Sequence, residues 1–263
     1  MLKQLGFSLL IGWIPSINPI YARIGLYTFR SYLRNMINLW TTNIGSHAWL
    51  MNRPDSDIDL FTAYIIPTKD LLSGRNRGYG SHCSGNSGMG EEDKVSHEIG
   101  KIVEELIKGN INFLVGTLSP LMISRHQIDT LTELKGIVEK HGQTKACTHS
   151  IRGLAVHNYR KYIIGSDAAR EYPTTKKCNT INRVLLFGIN LLNGNGFEFE
   201  PVKNQTPEDV KLLLEEFDRT VVASKIPEKT DPEPFREYLF KIRMLELDGI
   251  FDDCKIKPCR EAI

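Results

Sequence analysis

Three aspartates stand within five positions, Asp55, Asp57 and Asp59, in the stretch GSHAWLMNRPDSDIDLF that runs from Gly45 to Phe61. From Ser56 the chain continues SDIDLFTAYII, rich in β-branched and aromatic residues and stopped by Pro67, a composition that predicts a strand. Side chains alternate along a strand, so Asp57 and Asp59 share one face while Ile58 and Leu60 take the other. Two carboxylates held close on a half-buried strand repel, and burying them without a partner is costly. A hard divalent cation such as Mg²⁺ relieves both problems, because it takes one or two carboxylates together with the phosphate oxygens of a nucleotide. Asp-x-Asp alone is common, and a polar strand edge, or a turn capped by Asp55 and Ser56, is the other reading of these residues. Upstream, Gly45 lets backbone N–H groups come close to a phosphate and Ser46 adds a hydroxyl donor, which makes the pair a candidate holder of a triphosphate.

The run resembles the Gly-Ser…Ser-Asp-x-Asp signature of the DNA polymerase β-like nucleotidyltransferase superfamily. A second block, DKVSHEIGKIVEELIKGNINFLVGTL from Asp93 to Leu118 with Ser119-Pro120 after it, is similar to that of the RNA-ligase-associated, or RlaP-type, nucleotidyltransferases. In that block an aspartate, an acidic helix start, a lysine, a Gly-Asn and a Ser-Pro recur in order. Weaker likeness continues through TKKCNTINRVLLFGINLLNGNGFEFEP to IPEKTDPEPF. The resemblance implies an α+β fold: a mixed sheet with flanking helices, followed by a helical C-terminal part. It implies a metal-dependent enzyme that moves a nucleoside monophosphate from a nucleoside triphosphate to an acceptor, an RNA end in repair or processing, with two Mg²⁺ ions. Asp57, Asp59 and Asp93 would be the catalytic, metal-binding acids, Gly45 and Ser46 the triphosphate site, and Lys101 a candidate phosphate contact. The same core serves enzymes that nucleotidylate proteins, including antitoxins, and a nucleotide- or RNA-binding module without catalysis is a further alternative. The intact acidic triad argues against loss of catalysis.

The second block also carries information unaided. Ile99, Ile102, Val103, Leu106 and Ile107 recur at i, i+3, i+4, i+7 and i+8, the apolar stripe of an amphipathic helix with Ser96 as N-cap and Gly109 just past its end. Local pattern reads Asp93 as a solvated loop acid beside Glu91 and Glu92, whereas the resemblance puts it at the end of a strand next to Asp57. Glu98 suits the first helical turn through the helix dipole and is the alternative third acid. Lys101 equally suits an exposed helix face.

The rest of the chain must position these groups. Its 263 residues, 41% of them hydrophobic, suffice for one or two domains, and a net charge of +2 excludes a global polycation. Charge is uneven: Lys145 to Arg183 holds eight Lys/Arg against two Asp/Glu, and Val184 to Ile263 eleven against sixteen. With aromatics in HNYRKY (His157 to Tyr162), the basic segment 145–183 suits an RNA acceptor, or else a solvated helix face. Five cysteines without a CxxC pair indicate neither a zinc site nor a disulfide framework. The N-terminal apolar stretch is broken by Pro15 and Pro19 and reads as an atypical extension leading to a helix near Ile24 to Met36, with no transmembrane run, in a cytoplasmic protein. Ser73 to Gly90 reads as a mobile glycine-rich loop between sheet strands. Helices are expected at Arg125 to His141, Thr148 to Ile164, Thr180 to Asn193, Pro207 to Ala223 and Pro234 to Asp248. The division expected is a nucleotidyltransferase domain at 1–120 and a helical domain at 121–263.

Overall fold

Strand β2 (Ile58–Ile65), whose side chains are buried from Leu60 onward, is the middle of a five-stranded sheet. The computed structural model describes residues 36–54, 56–74, 81–84, 92–125, 128–165 and 174–251. β1 (Ile37–Asn43) pairs antiparallel with β2, and β4 (Glu92–Glu98) pairs with β2 in parallel. β3 (Ser81–Ser84) and β5 (Met122–Arg125) are the edges, giving the order β3-β4-β2-β1-β5. Between the strands lie α1 (Gly45–Ala48), α2 (Thr68–Leu72), α3 (Ile99–Ile107) and α4 (Ile111–Leu118). After β5 come α5 (Ile128–His141), α6 (Ala146–Tyr159) with a π-helical extension at Arg160–Ile164, α7 (Thr174–Leu192), α8 (Pro207–Ala223) and α9 (Glu233–Leu247). This is the α+β architecture the resemblance implied. Among the described residues no helix is long and apolar enough to cross a membrane.

Several local expectations change. Ser96 does not cap α3; it lies inside β4, opposite Thr62, because pairing with β2 and β3 extends the strand to Glu98. Glu98 is the cap instead, its carboxylate accepting from the Gly100 N–H at 2.6 Å. The apolar stripe is as read, with Ile99, Ile102, Val103 and Leu106 buried, each contributing about 1.5–3 kcal/mol by leaving water. Gly109 has φ +70°, and a side chain there would meet the backbone of Cys147 at 2.4 Å, so α3 must end on a glycine to let α6 begin. Arg125 belongs to β5 rather than to a helix: pairing with Trp40 of β1 recruits it, and the sheet takes one strand from beyond Pro120. Within the glycine-rich stretch, Ser81–Ser84 is an edge strand against β4 rather than loop. α7 starts at Thr174, before the expected Thr180. The apolar N-terminal stretch, the helix expected from Ile24 and most of the glycine-rich segment lie outside the described residues.

α9 fastens the far end of the sheet. The fully buried Glu98 carboxylate pairs with Arg243, whose guanidinium also donates to the Ile66 carbonyl at 2.8 Å. One turn on, Glu246 accepts from the Thr68 N–H at 2.8 Å, and the Tyr238 hydroxyl donates to the Thr130 carbonyl at 3.0 Å. Burial raises the pKa of Glu98, and Arg243 opposes that rise. Removing one partner of a buried pair strands the other charge, which costs about 3–5 kcal/mol, whereas replacing both is milder. Arg243→Met should therefore lower stability by about that amount in denaturant unfolding, and Glu98→Gln combined with Arg243→Met should recover much of it.

Candidate active site

The parallel register of β2 and β4 sets Asp59 directly opposite Asp93. Neighbouring strands lie about 4.8 Å apart, so two carboxylates in register on one face are immediate neighbours. Asp57 is exposed just before β2, where a turn at Arg53–Ser56 holds the approach: the Arg53 N–H donates to Ser56 Oγ at 2.8 Å. Asp93 thus stands on a strand beside the pair and not in a loop. Glu98, the alternative third acid, is at the other end of β4 and is occupied by Arg243. Burial, and after it the charges of Asp93 and Asp57, raises the pKa of Asp59, while Arg183 and His47 pull it down. Burial and like charge outweigh the two cations.

Gly45 is pressed against this cluster. Its predecessor's N–H donates to the Asp59 carbonyl at 2.8 Å, and its φ of +60° admits glycine with least strain. A Cβ at Gly45 would fall 1.9 Å from Asp59 Oδ2, so any side chain would displace the carboxylate. Ser46 follows in the single turn of α1, its carbonyl accepting from the Met51 N–H at 2.9 Å, and Ala48 and Trp49 anchor that turn in the core.

Cations arrive from α7. Lys176, Asn179, Thr180 and Arg183 recur at i, i+3, i+4 and i+7, one polar stripe on a helix whose other faces are buried. With Gly45, Ser46, Arg53, Asp57 and Asp59 they line a cavity of about 270 Å³. Burial brings the pKa of Arg183 down to about 10, against the attraction of Asp59, and the group stays charged at neutral pH. Its guanidinium carbon lies 5.3 Å over the Trp49 ring, and its buried Nε has no hydrogen-bond partner among the described residues. The sequence sets Lys176 and Lys177, as part of the basic segment, toward a polyanionic acceptor and does not single out Arg183, although the seven-residue spacing from Lys176 to Arg183 is the available signal. Lys101 is placed elsewhere: it pairs with Glu105 at 2.7 Å on α3 and does not line this cavity. Among the described residues no three His, Cys, Asp or Glu side chains are gathered closely enough to form a ready metal cluster.

Residues 34–232 match the family described as RlaP, the RNA repair pathway DNA polymerase beta family. Comparison with curated proteins finds no match. Among solved structures, the crystal structure of a nucleotidyltransferase-like protein from Exiguobacterium sibiricum 255-15 is similar over 84% of this chain and 79% of its own, at 10% identity and a TM-score of 0.27. A superposition that loose supports no residue-by-residue comparison.

The Asp59 environment has a measurable sign. A carboxyl with its pKa raised by folding binds its proton more tightly in the native state, so the stability it contributes is present at acid pH and lost as pH rises through the folded value. Asp59→Asn removes that loss. Relative to the natural protein in chelator, the variant should gain stability steadily as pH rises from the acid carboxylate range towards neutrality, as followed by thermal unfolding at several pH values.

Proposed function

The chain belongs to the RNA repair pathway DNA polymerase beta family and is a nucleotidyltransferase; from that premise we propose that it transfers a nucleoside monophosphate from a triphosphate to an RNA end. The observation that carries this reading is the in-register pairing of Asp59 with Asp93, directly against Gly45 and opposite Arg183. Enzymes of this kind use a divalent metal, and the residues fit one: three carboxylates offer only hard oxygens, and burial together with the charges of Asp93 and Asp57 raises the pKa of Asp59, an effect a bound cation would offset. Asp57, Asp59 and Asp93 would hold Mg²⁺, two ions in our reading, which when bound neutralise the charge between carboxylates and phosphates. Ser46, Lys176 and Arg183 bind the triphosphate in the 270 Å³ cavity, and Gly45 leaves the room it needs. Lys101, paired with Glu105, is not part of the proposal.

In the reaction the acceptor hydroxyl oxygen bonds to the α-phosphorus, the bond to the bridging α,β oxygen breaks, and pyrophosphate leaves. Asp93, exposed at the start of β4, orients the hydroxyl and takes its proton. Lys176 and Arg183 hold the charge that grows on the leaving pyrophosphate, which a preorganised cation stabilises without reorganising. The strands up to Pro120 thus supply the acids and the helical part supplies the cations. A triphosphate substrate supports residence in the cytoplasm. The RNA reading draws on the family and on the basic segment. Of that segment's cations, Lys145 pairs with Glu228 and Arg152 with Asp218, while Lys161 and Lys177 flank the Tyr162 ring at 4.9 and 4.0 Å.

Incubation with each labelled triphosphate and Mg²⁺, asking whether label enters RNA or protein, tests the reading; label in protein alone would overturn the RNA acceptor. Asp93→Asn should lower the transfer rate by orders of magnitude with triphosphate affinity nearly unchanged, as for an interaction made chiefly in the transition state. Arg183→Gln should instead weaken triphosphate binding by about 10- to 100-fold, the scale of a lost hydrogen bond between charged groups. Calorimetry and single-turnover transfer separate the two effects.

A further inference from the structure

A second cavity, of about 490 Å³, lies against the first and shares Gly45, Asp59, Thr180 and Arg183 with it. Its volume is within the range of about 300–1,000 Å³ typical of small-molecule sites. The character is different. Beyond Asp59 its floor continues along the same face of the sheet through Phe61 of β2 and Val95 and His97 of β4, and Phe113 of α4 closes one wall. Three of these rings form a cluster: His97 is 4.6 Å from Phe113 and 5.1 Å from Phe61, and the two phenylalanines are 5.8 Å apart, edge to face. Burial, with the nearby Lys101 ammonium, holds the His97 pKa down to about 4, so its ring is neutral at physiological pH. Asn112 and Asn158 add amide groups to a lining that is mostly apolar away from Asp59, Thr180 and Arg183. A flat ligand with hydrogen-bonding edges, attached to a polar group that reaches the carboxylates, matches that combination.

We propose that this cavity seats the terminal nucleoside of the RNA acceptor, its base against the aromatic cluster and its sugar hydroxyl at the Asp59–Asp93 pair. The inference rests on the nucleotidyl-transfer reading above. β4 decides between acceptor and incoming nucleotide: it lends Val95 and His97 to this cavity and nothing to the phosphate cavity. Asp93, assigned to the acceptor hydroxyl, is two residues before Val95 and on the same face of β4, at the threshold between the cavity and the reacting atoms. Side-chain amides and stacking rings are also the usual means by which proteins read splayed single-stranded bases.

The test compares two labelled single-stranded RNAs that differ only in whether the last nucleotide carries a base. Binding is measured by fluorescence anisotropy, and transfer in parallel. The RNA without its terminal base should bind about 5- to 150-fold more weakly, the range covered by stacking of one base on aromatic side chains. Asn158→Trp, which fills the cavity from a partly exposed position, should weaken the complete RNA by a similar factor, leave the baseless RNA unchanged, and leave the KM for triphosphate unchanged. Equal binding of the two RNAs by the natural protein overturns the proposal whether or not the variant folds. A rise in triphosphate KM with RNA affinity intact overturns it as well, since the cavity would then hold the incoming base. Base-dependent binding without any transfer would sink the catalytic reading and leave the cavity as an RNA-end site.

Discussion

Like charges crowded on adjacent strands are the constraint around which the molecule is arranged. Asp59 is half-buried, with Asp93 opposite and Asp57 two residues away, and each neighbour makes ionising it harder. Such a cluster persists only because the fold around it over-determines its place. β2 and β4 are fixed by their mutual ladder, the Ile44 N–H is tied to the Asp59 carbonyl, and the lack of a side chain at Gly45 leaves the carboxylate its space. In the proposed reaction that repulsion would turn into affinity once a cation and a polyphosphate arrive, so that stability and function would pull in opposite directions at this one residue.

Arg183 answers the cluster from the other side. α7 is buried over most of its length, which lets it hold a long cationic side chain over Trp49 at the cost of some of that cation's hydration. An arginine suits the position better than a lysine, because its planar fork can meet a carboxylate and a phosphate at once and it stays charged when desolvated. The sheet therefore provides the negative half of the site and the helical part the positive half. Neither half makes chemical sense alone.

How much of this the sequence reveals depends on the range over which each interaction acts. Asp57 and Asp59 are legible because strand alternation is local, and the stripe of α3 and the Thr206 cap of α8, where Asp209 and Thr206 bond reciprocally, are legible for the same reason. Asp93 follows from the family resemblance only, since the run Glu92-Asp93-Lys94 has no strand signature of its own and becomes strand by pairing with β2, joined by β3 from Lys94 onward. The rule that serine precedes helices makes Ser96 a cap, but the sheet ladder outweighs that rule and passes the role to Glu98. Arg125 likewise yields to the open edge of β1. Lys176 and Arg183 show their common face in the sequence; that the face lies over the aspartates is a tertiary fact.

The tie between Glu98 and Arg243 spans 145 positions of the chain. During synthesis at about 5–20 residues per second, the strand bearing Asp93 would emerge roughly 7–30 seconds before the guanidinium that completes its far end. Until then the Glu98 carboxylate must remain hydrated or protonated, and the end of β4 cannot close over it. Assembly of the sheet is thereby postponed until α9 has been made. A chain released early would carry all three aspartates and still lack the residue that locks their strand in place.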